Sequence, residues 1–385
     1  MHRTLHFQMP GKLILGLGAL AELPAAVQKL SAGRALVVTD AGLVKAGIAA
    51  RAMDLLASAG IGAALYDGVT SDPHYGVAED CLAFARRADV QVVVGLGGGS
   101  SLDIAKLSAI LLVHDVPVGE LPGVDRVPGP GLPKVLVPTT AGTGSEVSPI
   151  AVLSDTAAHL KKGVVSDYLY ADVALIDPTL AVGLPPHVTA YTGVDTLCHA
   201  IESYTNRFSQ PFVDTLELEA IRLVGTHLRR AVSCGDDLEA RYGMALASLY
   251  GGLCLGSVNT TAVHALAYPL GGSYDVPHGV ANSLLLPYVM AFNLISDLAK
   301  FRNIAAALGQ RTGDLSLRAA AGQSVEAVRE LCSDVGIVSR MRDLGIPQEA
   351  VAPMAEAALQ VTRLLSNNPR PVRLEDARAI YQAAW

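Results

Sequence analysis

Val92-Val93-Val94-Gly95-Leu96-Gly97-Gly98-Gly99-Ser100-Ser101-Leu102-Asp103-Ile104-Ala105-Lys106 runs from an apolar strand through a triple glycine into a helix. Side chains are missing where backbone N–H groups must approach an oxyanion. The first turn of the following helix adds unpaired donors at its positive end. A phosphate or pyrophosphate is the natural occupant of such a bend at the carboxyl end of a strand. For these four residues taken alone, a tight turn with Ser100 as helix cap is the plainer alternative.

Moving outward, residues 35–39, 63–66, 90–95, 135–138 and 173–176 read as β-branched strands. Residues 44–59, 77–88 and 100–113 between them have helical length and spacing. Strand-helix alternation predicts a mostly parallel sheet with right-handed crossovers. Asp40 ends the strand-like run 36–40, where a carboxylate can hold a ribose diol and repel a 2′-phosphate, which favours NAD over NADP. Helix capping is the other ordinary use of an Asp in that place. Thr139, Thr140 and Thr143, in Pro138-Thr139-Thr140-Ala141-Gly142-Thr143-Gly144-Ser145-Glu146, follow a further strand and offer a second wall for the ligand. A competing phosphate site is Gly16-Leu17-Gly18-Ala19-Leu20-Ala21, which fits G-x-G-x-x-A with Asp40 about 20 residues on.

After Gly183-Leu184-Pro185-Pro186 the strand-like runs give way to Ala/Leu/Glu-rich helical segments, which sets an expected division into domains 1–183 and 184–385. Two domains also suit 385 residues, since single cores stop growing at about 250–300 residues. With 51% hydrophobic and 17% charged residues the chain can bury large cores, so disorder is excluded as its general state. The net charge of −7 comes without any clustered cations, which excludes a nucleic-acid surface. The uncharged stretch 242–274 is long enough for a membrane span, but its Gly, Asn, Thr, Ser and Pro269 point to a buried helix and loop, so no membrane partner is expected. Cys81, Cys198, Cys234, Cys254 and Cys332 are odd in number and scattered, as in a reducing compartment. The one leader-like pattern, apolar residues 13–21 ending in Ala-x-Ala, is weak, and the expected location is the cytoplasm.

The second half holds Gly193-Val194-Asp195-Thr196-Leu197-Cys198-His199-Ala200-Ile201-Glu202, in which Asp195 and His199 share one helix face. His264 lies in the uncharged stretch, and His278 follows in the turn-like Asp275-Val276-Pro277-His278-Gly279. One carboxylate and three imidazoles suit a divalent transition ion. Each residue alone also has a plainer reading, as a surface hydrogen bond, a satisfied core histidine or a turn. Cys198 points about 100° away from His199 on a helix and reads as packing.

Together GGGSSLDIAK, PTTAGTGSEVSP, GVDTLCHAIESY and AVHALAYPLGGSYDVPHGVAN make the chain resemble, over nearly its whole length, the iron-containing (group III) alcohol dehydrogenases. The resemblance implies an N-terminal dinucleotide-binding α/β domain with a parallel sheet and an all-α C-terminal domain, a dehydroquinate synthase-like architecture with the active site between the two. It implies Asp195, His199, His264 and His278 as ligands of Fe(II), with Zn(II) also suited to such a donor set. Gly97, Gly98, Gly99 and Ser100 would hold the pyrophosphate of NAD, with Asp103 near its nicotinamide end. Asp40 would meet the adenosine ribose, Thr139, Thr140 and Thr143 would line the cofactor, Lys162 would reach its ribose, and Leu180 belongs to a matching cleft segment. Members often carry a further His four residues after the third ligand, used in proton handling. Here that position is Tyr268, whose phenol relays a proton only if strongly perturbed or bridged by water.

The expected activity is hydride transfer between nicotinamide C4 and a metal-bound alcohol or carbonyl, with a small-molecule alcohol or aldehyde as partner and a homo-oligomer, a dimer, as the assembly. Related alternatives are a maleylacetate reductase, which does not require the ion, and a dehydroquinate synthase-like lyase, which needs a cationic cluster beside the metal. A non-catalytic binding protein on the same scaffold is a third.

Overall fold

The computed structural model describes residues 4–156 and 160–385. Among the described residues the strands are β1 (Lys12–Leu15), β2 (Arg34–Val38), β3 (Gly62–Tyr66), β4 (Val92–Gly97), β5 (Gly123–Val124), β6 (Lys134–Pro138), β7 (Ile150–Asp155), β8 (Leu160–Val165) and β9 (Val173–Ile176). Six of them form one parallel sheet in the order β1-β9-β6-β4-β2-β3. The remaining three form a small sheet, β5-β8-β7, with β7 and β8 antiparallel.

Alternation along each central strand explains why both faces of the large sheet are covered. Leu36, Val38, Val93 and Leu136 enter one core with residues of α4 (Tyr75–Ala85) and α5 (Gly99–Leu111). Their neighbours Ala35, Val37, Val92, Val94, Val135 and Val137 enter the other, with α1 (Leu23–Lys29) and α3 (Ile48–Ser58). The expected helix 44–59 is in fact two, the short α2 (Ala41–Lys45) and α3, separated by Gly47 at φ 77°.

The strand order fixes where a ligand belongs. From β2 the chain goes to β3 on one side, then returns to place β4 on the other. Open parallel sheets bind ligands at such a reversal, outside the carboxyl ends of the two strands. Asp40 follows β2 and the triple glycine follows β4, so both lie at this point. The competing Gly16–Ala21 motif follows β1 at the edge of the sheet, away from the reversal. There the Asp177 carboxylate accepts from the N–H groups of Gly18 and Leu20, at 2.9 and 3.1 Å, and fastens the loop.

The remaining helices are α6 (Pro186–Thr205), α7 (Pro211–Ser233), α8 (Leu238–Val258), α9 (Ala262–Tyr274), α10 (His278–Asn293), α11 (Leu298–Ala307), α12 (Leu317–Asp334), α13 (Val351–Ala358), α14 (Thr362–Leu365) and α15 (Leu374–Ala384). Among the described residues from Leu184 onward there is no strand. Pro186 and Pro211 open α6 and α7 at positions where a missing N–H costs nothing. The chain divides into two compact units, Met9–Gly183 and Leu184–Trp385, the latter joined by the residues up to Gln8. That last detail departs from a simple 1–183 and 184–385 division, and its cause is packing. Phe7 lies against Val213, Cys254 and Val258, and Gln210 Nε2 donates to the His6 carbonyl at 2.9 Å.

Candidate active site

In the helical unit, α6 carries Asp195, His199 and Glu202 four and then three residues apart, so one buried face bears all three. Asp195, His199 and His264 offer ligand atoms that all lie within 4.8 Å of one another. His264 Nε2 and His199 Nε2 face each other at 3.1 Å, and the rings of His264 and His278 approach to 5.2 Å between centroids. The four expected ligands are thus brought together from α6, α9 and α10. His278 differs from its expected turn: Pro277, extended at φ −55° and ψ 142°, makes it the first residue of α10.

The donors fit a cation. Asn282 Nδ2 lies 2.8 Å from Asp195 Oδ1 and 3.1 Å from Nε2 of both His264 and His278. An amide nitrogen has two protons for these three acceptors, whereas one divalent ion satisfies converging carboxylate and imidazole lone pairs together. Burial by itself would raise the Asp195 carboxyl, but His199, His278, His264 and Asn282 outweigh it and hold it down at about 2. A permanently ionised carboxylate is what metal ligation requires. Cys198, on the same helix, is buried, and burial pushes its thiol well up, in keeping with a packing role.

Three residues here were not singled out from the sequence. Glu202 and Asn282 sit three and four residues beyond ligands on their own helices, a spacing visible in the sequence. Arg363 in α14 left no such signal. It acts electrostatically on His264 and Tyr268, and its Nη1 is buried with no hydrogen-bond partner among the described residues. Tyr268 packs with Ala265 and Leu364, and burial pushes its phenol up. The phenol four residues after His264 is thereby kept in its neutral, protonated form.

In the α/β unit the pairing of β4 with β6 sets Gly97 opposite Pro138, and Thr139 N donates to the Gly97 carbonyl at 3.0 Å. The glycine bend and the threonine loop therefore lie side by side. Gly97 has φ 154°, and a Cβ there would sit 2.6 Å from Ser101 Oγ. Gly98 caps α5, and a Cβ on Gly99 would fall 2.7 Å from Thr143 Cγ2, so the two loops touch where a larger residue would part them. Thr140 stands 3.7 Å from the same kind of probe atom on Gly98. Ser100 Oγ accepts from Asp72 N at 3.3 Å. Asp40 caps α2, its Oδ1 accepting from Leu43 N at 3.1 Å.

Beneath these loops lies a buried polar cluster. Asp103 Oδ1 accepts from Ser145 Oγ at 2.6 Å, and its Oδ2 accepts from Val152 N at 2.8 Å. Lys106 donates to Ser145 Oγ, Ser148 O and Ile150 O at 2.8, 3.1 and 2.7 Å. Burial pushes the Asp103 carboxyl up and the Lys106 ammonium down to about 8. The pair fastens the threonine loop and β7 to α5, so Asp103 shapes the loop from below. Two further expected cofactor residues have these surroundings. Lys162, on β8, pairs with Asp155 at 2.7 Å, and Leu180 is packed in the core that holds α1 and α3.

Glu146, in the same loop, is pushed up to about 7, chiefly by burial. Between pH 4.5 and about 7 the folded chain keeps a proton that the unfolded chain has lost, so stability falls as pH rises through this window. Urea melts at several pH values are expected to show that decline in the wild type, and Glu146→Gln is expected to flatten it. An unchanged slope in the variant would place the proton elsewhere.

Comparison with known proteins identifies the family. Residues 10–178 match the family model described as iron-containing alcohol dehydrogenase, and residues 189–385 match the C-terminal model of the Fe-containing alcohol dehydrogenase family. Long-chain-alcohol dehydrogenase 1 of Geobacillus thermodenitrificans is 43% identical over 374 residues, covering 96% of this chain and 94% of that protein. A solved 1,3-propanediol oxidoreductase superposes with a TM-score of 0.97 at 38% identity over 100% of both chains. Sulfoacetaldehyde reductase from Bifidobacterium kashiwanohense, solved in complex with NAD+, gives 0.90 at 28% identity over 100% of this chain and 99% of that one. The chain belongs to the iron-containing alcohol dehydrogenase family and is an oxidoreductase acting on alcohols.

Proposed function

We propose that the protein is an NAD(H)-linked, iron-dependent alcohol dehydrogenase that also runs as an aldehyde or ketone reductase. The observation that carries the reading is the convergence of Asp195, His199 and His264, with His278 beside them, in a buried place. Asp195, His199, His264 and His278 would hold a divalent ion, which would supply Lewis-acid polarisation of the substrate oxygen. NAD, when bound, would supply the hydride acceptor at nicotinamide C4, so that an alcohol would yield a carbonyl compound and NADH with its proton released to solvent. The triple glycine and the first turn of α5 bind the pyrophosphate, and Thr139, Thr140 and Thr143 line the same loops. Asp40 selects NAD by its charge.

The related lyase would need several cations by the ligands. The relatives named above act on long-chain alcohols, 1,3-propanediol and sulfoacetaldehyde, so family membership leaves the substrate to experiment. We further expect a cytoplasmic homodimer. All five cysteines are free, and the exposed rings of Phe208 and Phe212 offer apolar surface for association.

Two measurements test the reading. Treatment with a strong chelator should abolish NADH formation from a panel of primary alcohols, diols and hydroxy acids, and Fe(II) should restore it. Full turnover in metal-free protein would sink the proposal. Asp40→Ser keeps a capping side chain for α2 but removes the charge, and should raise the NADP to NAD ratio of kcat/KM by about tenfold or more. An unchanged ratio would remove Asp40 from cofactor selection.

A further inference from the structure

Glu202 is buried on the ligand face of α6, and each of its oxygens is engaged. Oε1 accepts from Thr261 N at 3.1 Å, Thr261 Oγ1 at 2.7 Å and Val263 N at 2.7 Å. Two of those donors are N–H groups at the start of α9, which no turn of that helix can satisfy. Oε2 lies against Nδ1 of His264, in the first turn of the same helix. One carboxylate thus caps α9 and grips the imidazole that α9 presents.

We propose that Glu202 is a positioning residue that sets the tautomer of His264 and thereby the metal affinity of the site. The inference rests on the metal reading above and assigns a role to a residue outside the ligand set. A carboxylate can only accept, so the His264 proton must sit on Nδ1. Nε2 is then left as a bare lone pair, aimed at the point shared with His199 Nε2 and the Asp195 carboxylate. In the opposite tautomer the proton would occupy the atom that has to face the ion.

The near-isosteric Glu202→Gln separates this role from packing. An amide has one accepting end and one donating end. Three donors converge at Oε1, so the amide oxygen is held there and the NH2 group is turned on His264 Nδ1. Nδ1 must then accept, and the proton moves to Nε2. The helix cap survives while the tautomer reverses.

The test is Co(II) uptake followed by visible absorption, with Zn(II) affinity measured by competition against a chromophoric chelator. Thermal melts of the metal-free proteins and 15N shifts of labelled histidines complete it. Glu202→Gln is expected to weaken both metals by about 10–100-fold while the metal-free melt stays close to wild type. The wild-type His264 signal should show a protonated Nδ1. Equal metal affinity in the variant, or a neutral wild-type His264 whose proton sits on Nε2 with Nδ1 bare, overturns the inference, and the second readout stands even if the variant does not fold. A wild-type protein that binds neither Co(II) nor Zn(II) overturns the metal reading itself and this inference with it.

Discussion

Alanine at His264 should leave a folded protein that holds almost no metal and forms NADH at least ~10³-fold more slowly than the wild type. The side chain is buried and stands between Glu202 and the point where His199 and Asp195 converge, so its loss removes a ligand and strips Glu202 of its imidazole partner. Truncation of a buried side chain costs about 2–4 kcal/mol in stability, which a chain of this size with several cores tolerates. Metal content by elemental analysis, read beside a thermal melt, distinguishes ligand loss from unfolding. Full turnover in His264→Ala would show that the four residues are only a polar cluster.

Gly97→Ala should produce the opposite pattern, with metal content preserved and cofactor binding lost. At φ 154° an L side chain is strained by about 1–3 kcal/mol, and the added methyl would lie 2.6 Å from Ser101 Oγ and 2.7 Å from Ser101 Cβ. Relief requires the bend or the first turn of α5 to move, which displaces the N–H groups proposed to meet the pyrophosphate. The expected result is a rise in the KM for NAD of about 10–100-fold, from a loss of roughly 1.4–2.8 kcal/mol of binding. Cofactor titration by NADH fluorescence reads this directly. Because all four proposed ligands lie in the helical unit, Co(II) uptake should not change. Unaltered NAD binding would move the phosphate site away from this loop.

The large sheet was legible because its central strands are short apolar runs buried on both faces, bounded by helical stretches. The small sheet was not. β8, Leu160-Lys161-Lys162-Gly163-Val164-Val165, carries two lysines and a glycine, and β5 has two residues, so neither shows a strand's hydrophobic pattern. The break between α2 and α3 turns on one left-handed glycine that helical periodicity does not reveal. At the site, the residue types suited to ligation stood out from their setting. Glu202 and Asn282 were equally visible in spacing, but their importance depends on which atoms face them, and that is tertiary information. The pairing of Lys162 with Asp155 and the packing of Leu180 in a core are likewise tertiary information that the sequence does not display.

The attachment of Phe7 to Val213, Cys254 and Val258 bears on how the chain matures during synthesis. The segment that carries Phe7 finds its resting place only after α7 and α8 have been made, while the unit Met9–Gly183 is synthesised in between and can fold by itself. The segment around Phe7 therefore settles after the unit that follows it in the chain. Until then it is an unpacked apolar stretch, open to capture by the corresponding groove of another nascent copy.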